Sequence, residues 1–299
     1  MRNILVIGGV TVDTLLYMHE FPDKRPATVF SRAWRRTVGG TGAGKAMALA
    51  KLGFGTDIHA FVGDDPEGEM IGRAISASGA RLHASVDPKG TETHVNLMND
   101  AGERISIYAN YATSEPEIEP ENFRDLVLKS DAVVLNISNY VRRFIPLARA
   151  LGKEIWTDIH DYDGNNAYHR DFIAAADHLF LSSDSLPGWR AFMADQIGAG
   201  KKTVVCTHGK RGASAMDASG KLVEVAATPK FGQIDTNGAG DSFFAGFMAA
   251  AARNLPLADR MRWGAVAGAL AVASPELVHE ALSPEKLEKE ALEIYGGNG

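Results

Sequence analysis

Cysteine is almost absent from this sequence, since Cys206 is the single one among 299 residues. An intrachain disulfide is therefore impossible, and the cysteine content gives no indication of an oxidising compartment. Because Cys206 lies in the apolar run 203–207, we expect a small, buried and unreactive side chain.

Basic runs and long apolar segments are also missing. The formal net charge is −6, and no Lys/Arg-rich run stands out, so nucleic acid and anionic membranes are poor candidate partners. No segment has the length of a membrane span or the pattern of a signal peptide. We therefore expect a cytoplasmic protein that acts on a small molecule.

The sequence is long and apolar enough for a sizeable core, with 45% hydrophobic residues, and we expect one domain over residues 1–299. Short β-branched runs alternate with helical patterns, which is typical of an α/β fold with a mainly parallel sheet. The runs predict strands at 3–8, 57–62, 94–98, 104–108, 131–137, 154–159, 178–182 and 203–207. The helical patterns cover 42–53, 66–79, 143–152, 240–253 and 258–273.

Two regions depart from this alternation, approximately residues 14–38 and 90–112. The first contains Pro22 and Pro26 among alternating polar and apolar residues. The second holds two candidate strands separated by residues 99–103, Asn-Asp-Ala-Gly-Glu, which predicts a hairpin. These regions favour a small β-sheet outside the main one.

The most informative segment is residues 235–242, Asp-Thr-Asn-Gly-Ala-Gly-Asp-Ser, followed directly by a helical pattern. Small residues at a helix start leave backbone N–H groups free, and such a row of donors suits a phosphoryl group in transfer. Asp241 lies beside this anion site, where it is suited to accept the proton of an attacking hydroxyl. The alternative is a carboxylate that is merely favoured by the helix dipole.

Two further glycine-rich segments compete with it. Gly8-Gly9 ends the first strand, and Asp13 follows at an edge where open α/β sheets bind ligands. Residues 39–46 nearly spell a Walker A loop, but Ala46 lacks the hydroxyl that would bind magnesium. Lys45 begins an amphipathic helix there, and we expect it to face solvent.

These motifs together resemble the ribokinase-like (PfkB) carbohydrate kinase family. Residues 235–241 match its second signature, Asp-Thr-x-Gly-Ala-Gly-Asp. Residues 38–53 are similar to the first signature, and Thr207-His208-Gly209-Lys210-Arg211-Gly212 resembles the stretch that lines the nucleotide site. The resemblance implies a three-layer α/β/α sandwich with a small β-sheet lid, and ATP with Mg²⁺ as phosphoryl donor.

The resemblance also implies a role for individual positions. Asp241 would be the general base, and the backbone of Gly238, Ala239 and Gly240 would form the anion hole. The implied acceptor-binding residues are Asp13, Gly40, Thr41, Gly44, Asp241 and, on the lid, Thr93 and Val95. The implied nucleotide-binding residues are Thr207, Gly209, Gly212, Asn237, Gly238 and Gly240. Asp235 and Asn237 would lie near a monovalent cation, such as K⁺, that shapes the anion hole in many members of the family.

This sequence also departs from the family pattern. Gly44 stands where many sugar kinases carry an asparagine that binds the sugar, which suggests a different or bulkier acceptor. The family's Asn-x-x-Glu has no glutamate near residues 181–185, and residues 274–277 replace a basic-Gly-Ala turn. These departures leave the organisation of Mg²⁺ and of the cation site open.

Three functions follow, in decreasing order of support. The first is an ATP-dependent kinase of a sugar or sugar-like alcohol, and the second is a nucleoside kinase whose Tyr17, Phe21 and Tyr108 stack on a base. The third is a non-catalytic sugar or nucleotide sensor, which the intact Asp241 disfavours. We also expect a homodimer through the lid, because a small exposed sheet has unpaired edges.

Overall fold

The computed structural model describes residues 2–296 of the chain. Its strands fall into a large and a small sheet. The strands of the large sheet are β1 (Asn3–Ile7), β4 (Gly55–Val62), β5 (Arg81–Val86), β8 (Ala132–Asn136), β9 (Glu154–Asp158), β10 (His178–Ser182), β11 (Thr203–Thr207), β12 (Ala213–Asp217) and β13 (Leu222–Val225). Those of the small sheet are β2 (Thr11–Tyr17), β3 (Ala33–Gly39), β6 (Thr93–Met98) and β7 (Arg104–Asn110).

Helices connect most of the strands of the large sheet. They are α1 (Thr41–Lys51), α2 (Pro66–Ala77), α3 (Arg124–Lys129), α4 (Phe144–Ala150), α5 (Arg170–Ala175), α6 (Trp189–Gly198), α7 (Ala239–Ala252), α8 (Leu257–Val272) and α9 (Pro284–Tyr295). None of the helices within residues 2–296 is both long and apolar enough to cross a membrane.

The large sheet has the order β13-β12-β11-β10-β9-β8-β1-β4-β5. Its strands pair in parallel except at β12, which is antiparallel to both of its neighbours, β11 and β13. The chain leaves β1 first toward β4 and later returns to β8 on the other side. The direction of winding therefore reverses between β1 and β8, and open α/β sheets bind ligands at such a point.

The large sheet is covered on both faces, which makes three layers. One apolar cluster packs one face of the sheet against α1, α2, α7, α8 and α9. A second cluster packs the other face against α3, α4, α5 and α6. Strands buried on both sides read as continuous apolar runs, which explains sequences such as Val133–Leu135.

The small sheet has the order β3-β2-β6-β7 and projects two chemically different faces. One face carries polar side chains toward a cavity described below. The other face aligns two cross-strand rows, Trp34–Leu16–Leu97–Ile105 and Arg36–Thr14–Val95–Ile107. Apart from Thr14 and Arg36, these rows are apolar.

The predicted fold class is confirmed. The large, mainly parallel sheet lies between helices, and a separate small sheet comes from the two irregular regions. The hairpin predicted around residues 99–103 joins β6 to β7 in antiparallel pairing. Sequence patterns did not predict the elements β5, β12, β13, α3, α5, α6 and α9. Cys206 is buried as expected, and burial raises the pKa of its thiol to about 12.

The contact of α7 with the large sheet supports a stability prediction. Phe247 of α7 is fully buried, with its ring centroid 5.4 Å from that of Phe180 and 6.3 Å from that of Trp156. We expect Phe247→Ala to lower the free energy of unfolding by about 3–5 kcal/mol, because it leaves a cavity. Urea unfolding followed by tryptophan fluorescence measures the change.

The matched control for this prediction is Phe30→Ala, because Phe30 is 86% exposed. It should change the free energy of unfolding by less than about 0.5 kcal/mol. Equal effects of the two substitutions would contradict the packing described for α7.

Candidate active site

A cavity of about 170 Å³ lies between the small sheet, the start of α1 and the start of α7. The cavity opens at the edge of the large sheet where the parallel strands end. This edge lies beside the point between β1 and β8 where the direction of winding reverses. Its lining residues are Asp13, Arg35, Thr37, Val38, Gly39, Gly40, Thr41, His94, Asn96, Arg104, Ser106, Tyr108, Asn237, Gly238, Asp241 and Leu277.

Asp13 is the third residue of β2, and it lines the cavity. Its carboxylate accepts hydrogen bonds from Thr11 Oγ1 at 2.7 Å and from Asn96 Nδ2 at 3.0 Å. The ring of His94 lies close by, with Nδ1 3.5 Å from Asp13 Oδ1. Asp13 is thus held in one orientation at the cavity wall, and its acceptor-binding role stays a prediction.

Residues 238–241 form the first turn of α7 and its cap. Gly238 has φ 72°, in the left-handed region, and a Cβ there would lie 2.2 Å from the carbonyl oxygen of Leu277. No side chain caps this helix start. The N–H of Ala239 donates to the carbonyl of Thr236 at 3.4 Å, and the N–H groups of Gly238, Gly240 and Asp241 stay available at the positive end of the helix dipole. Asp241 stands in this turn and lines the cavity. The carboxylate of Asp241 and the backbone of this helix start therefore border the same space.

Lys45 does not face solvent, so that prediction was wrong. Its side chain is 0% exposed, and its Nζ donates to Asp241 Oδ1 at 2.5 Å. The same Nζ lies 3.2 Å from Asp158 Oδ2, at the end of β9. Burial by itself would lower the pKa of Lys45, but the charges of Asp241 and Asp158 outweigh burial and raise the pKa. Lys45 is therefore an ammonium ion at neutral pH.

Asp158 belongs to the same buried cluster. Its Oδ1 accepts a hydrogen bond of 3.0 Å from the backbone N–H of His160, which adopts a positive φ of 52°. Burial would raise the pKa of Asp158, but electrostatic interactions with His160 and Lys45, and hydrogen bonds from the His160 backbone and from Lys45, lower the pKa to about 2. Asp158 is thus ionised whenever the protein is at neutral pH.

The two residues expected near a monovalent cation are engaged by arginines of the small sheet. Asp235 Oδ2 accepts from Arg35 Nη2 and from the Tyr17 hydroxyl, each at 3.0 Å. Asn237 Oδ1 accepts from Arg104 Nη1 at 2.6 Å. In this arrangement the side chains do not fit a bound cation, because guanidinium groups already take their oxygens and would repel it.

The described residues show no ready-made metal cluster either. Within residues 2–296, no group of three or more His, Cys, Asp or Glu side chains could hold a metal ion. Mg²⁺ that enters with ATP needs only one or two carboxylates, because phosphates and water supply its other ligands. The donor set is therefore compatible with Mg²⁺ bound through the nucleotide.

The expected nucleotide-binding residues divide between two places. Asn237 and Gly238 line the cavity. Thr207 ends β11, and its hydroxyl donates to the carbonyl of Leu181 at 3.3 Å. Because β11 runs parallel to β10 and β9, the loop holding Gly209 and Gly212 starts at the same edge of the sheet, outside the cavity.

The expected acceptor-binding residues of β6 need a correction. The cavity is lined by His94 and Asn96, whereas Thr93 and Val95 are absent from its lining. Side chains alternate along a strand, so a shift of one residue moves every side chain to the opposite face. Val95 pairs with Ile107 on the outer face of the small sheet.

Gly40 and Thr41 line the cavity as expected, but Gly44 serves a different purpose from the one its sequence position suggested. It is buried and does not line the cavity. A Cβ atom at position 44 would lie 2.5 Å from Asp241 Oδ2. Glycine at this position therefore makes room for the carboxylate of Asp241.

Sequence reasoning missed several side chains that the structure brings together here. They are Arg35, Lys45, Arg104 and, from the lining of the small sheet, His94, Asn96 and Ser106. The alternation of His94 and Asn96 with Val95 and Leu97 is a signal that would have identified the polar face of β6.

Comparison with known proteins finds similarity to kinases of carbohydrates and nucleosides. A family model described as pfkB family carbohydrate kinase matches residues 1–282. An acarbose 7(IV)-phosphotransferase of an Actinoplanes species is 30% identical over 280 residues, which cover 91% of this chain and 93% of that protein. A nucleoside kinase of Methanothermobacter thermautotrophicus is 27% identical over 282 residues, which cover 90% of this chain and 88% of that protein.

Two solved structures are similar to this protein over nearly the whole length of both chains. A microbiome-derived acarbose kinase has a TM-score of 0.87 and 31% identity, and the match covers 97% of this chain and 99% of that one. An Arabidopsis thaliana ribokinase, solved with ribose and ATP, has a TM-score of 0.80 at 20% identity, covering 97% and 98%. At that identity the likeness to ribokinase shows the fold alone.

The contact between Gly44 and Asp241 supports a prediction about stability. We expect Gly44→Ala to lower the free energy of unfolding by about 1–3 kcal/mol, because the new methyl group overlaps the buried carboxylate. Denaturation in guanidinium chloride measures the change.

Gly72→Ala is the control, since Gly72 also lies in a helix and its Cβ would meet nothing within 4 Å. This variant should gain about 0.5–1 kcal/mol from helix propensity alone. A gain of stability in both variants would show that Asp241 does not pack against Gly44.

Proposed function

The chain belongs to the pfkB family of carbohydrate kinases, and from that premise we propose which of its residues carry the reaction. The protein is an ATP-dependent kinase that phosphorylates a hydroxyl of a sugar or sugar-like small molecule. The assignment of residues to steps depends most on one observation, the position of Asp241 at the cavity wall in the first turn of α7.

Asp241 is the proposed general base. It takes the proton of the acceptor hydroxyl, and the acceptor oxygen forms a bond to the γ-phosphorus of ATP while the bond to ADP breaks. The backbone N–H groups of Gly238, Ala239 and Gly240 stabilise the negative charge on the transferred phosphoryl group. Mg²⁺, held mainly through the phosphates of ATP, would supply positive charge to the phosphate oxygens.

The acceptor is proposed to lie against the small sheet, on Asp13, Asn96, Thr37 and Ser106. These side chains offer carboxylate, amide and hydroxyl groups, which suits a molecule rich in hydroxyls. The two acarbose kinases among the relatives favour an extended, sugar-like acceptor of the acarbose type as the first compound to test.

A nucleoside is the second candidate acceptor. Its support is the nucleoside kinase among the relatives and the ring of Tyr108, whose centroid lies 4.0 Å from that of His94 at the cavity. Tyr17, however, already donates its hydroxyl to Asp235, and Phe21 is not among the lining residues. The polar lining therefore favours a sugar-like acceptor over a base.

The small sheet is proposed to act as a lid over the acceptor. Arg35 and Arg104 connect it to the segment that carries the anion hole, through Asp235 and Asn237. Binding of K⁺ near these two residues stays a prediction from the family, and it requires Arg35 to leave Asp235 first.

The test of this proposal is a screen of acceptors with the wild-type enzyme and Asp241→Asn. ADP production is measured with acarbose, simple sugars and nucleosides. We expect Asp241→Asn to lose roughly a hundredfold or more in kcat, because a general base contributes on that scale.

Asp259→Asn is the matched control, since Asp259 occupies the first turn of α8 as Asp241 does in α7. It should keep the wild-type rate. Full activity of Asp241→Asn on a good acceptor would show that another group takes the proton, and binding without turnover of any acceptor would favour a sensor.

A homodimer through the lid is also proposed. The outer face of the small sheet exposes Trp34, Ile105 and Ile107 in neighbouring positions, and apolar patches of this kind mark interaction surfaces. A second copy of this chain would cover the patch and the unpaired strand edges.

For the dimer we predict that Ile107→Glu yields a monomer in light scattering, because it places a charge in the proposed interface. Leu128→Glu is the control, since Leu128 on α3 is equally exposed at 49%, and it should remain dimeric. A monomeric wild-type protein at micromolar concentration would rule out this assembly.

A further inference from the structure

Lys45 is a buried cation that the reaction as described above does not use. It stands on α1, and its ammonium contacts Asp241 of α7 and Asp158 of β9 at 2.5 and 3.2 Å. The Nζ atom also lies over the aromatic ring of Phe244, 5.3 Å from the ring centroid. A lysine is almost never fully buried unless it is paired, so its partners explain its position.

The charges of this cluster depend on one another. The ammonium lies between two buried carboxylates, those of Asp158 and Asp241. Without it the two carboxylates would stand in a buried site with no cation between them, which is costly. The cation therefore ties Asp241 to the end of β9 and fixes its position.

The geometry around Asp241 restricts its side chain from two directions. Oδ1 is engaged by Lys45, and Oδ2 lies 2.5 Å from the position that a Cβ of residue 44 would take. Within residues 2–296, Lys45 is the one hydrogen-bond donor that the structure gives to this carboxylate. The contact with Lys45 on one oxygen and the packing against Gly44 on the other together fix the orientation of the carboxylate.

We propose that Lys45 is a positioning residue, which holds Oδ1 of Asp241 and so fixes the carboxylate in one orientation at the cavity wall, while Asp158 anchors the ammonium to the sheet. This inference rests on the proposed role of Asp241 as the base. During transfer the proton moves from the acceptor hydroxyl to the Asp241 carboxylate, and the acceptor oxygen displaces ADP from phosphorus. The proton then passes from Asp241 to solvent after the product leaves, and Lys45 keeps its own proton throughout.

The first test is Lys45→Met, which preserves length and removes the charge. We expect kcat to fall roughly tenfold to a hundredfold, since small misplacements of a reacting group have effects on this scale. The KM for ATP should change less than about twofold, because substrate binding is not the step affected. Lys51→Met, on the same helix with its Nζ on the carbonyl of Glu280, is the control and should behave as wild type.

A double-mutant cycle separates this inference from the proposed function. If Lys45 acts through Asp241, Lys45→Met should have almost no further effect on kcat in an Asp241→Asn background. Losses that multiply in the double variant would show that Lys45 acts elsewhere and would overturn the inference. Wild-type activity of Asp241→Asn would instead overturn the role of the base itself.

A second variant covers the risk that Lys45→Met does not fold. Lys45→Met/Asp158→Asn leaves Asp241 as the one charged group of the cluster, so the net charge of −1 is unchanged. We expect this variant to unfold at a temperature close to that of the wild type and still to lose at least tenfold in kcat. Wild-type kcat in this folded variant would mean that Asp241 needs no cation to be positioned.

Discussion

The ammonium of Lys45 joins three elements that lie far apart in the chain. It comes from α1, and its two carboxylate partners come from β9 and α7. An ion pair without water is favourable only when its geometry is good and its remaining hydrogen bonds are made. The close approach of α1 and α7 at the end of the parallel strands supplies the geometry, with both carboxylates within 3.2 Å of the ammonium, and the cavity, the first turn of α7 and the small sheet lie around it.

The main elements of the fold and the start of α7 could be predicted from sequence, because their signals are local. Buried parallel strands read as apolar runs, and residues 235–241 combine small residues with a helix start. Lys45 was misjudged because a charged residue at a helix start is usually exposed. Its neighbours one turn later, Ala48 and Leu49, are both buried, so the helical period already placed Lys45 on the inward face.

Other parts of the site depend on contacts that no local pattern contains. Asp235 meets Arg35 across 200 positions of the chain, and a segment that resembles a cation site gives no hint that an arginine takes its carboxylate. On β6, the choice between Thr93 with Val95 and His94 with Asn96 depends on how the strand is oriented in its sheet. Pairing with β2 and β7 decides that orientation, and the family motif does not extend to it.

Gly44 has a consequence for how such enzymes diverge. The space that its missing side chain leaves is filled by the carboxylate of Asp241, and the neighbouring Lys45 binds that carboxylate. A descendant that gains a larger side chain at position 44 would have to hold Asp241 differently and would leave the lysine with Asp158 as its partner. Positions 44 and 45 are therefore expected to change together during evolution, as a single inherited unit.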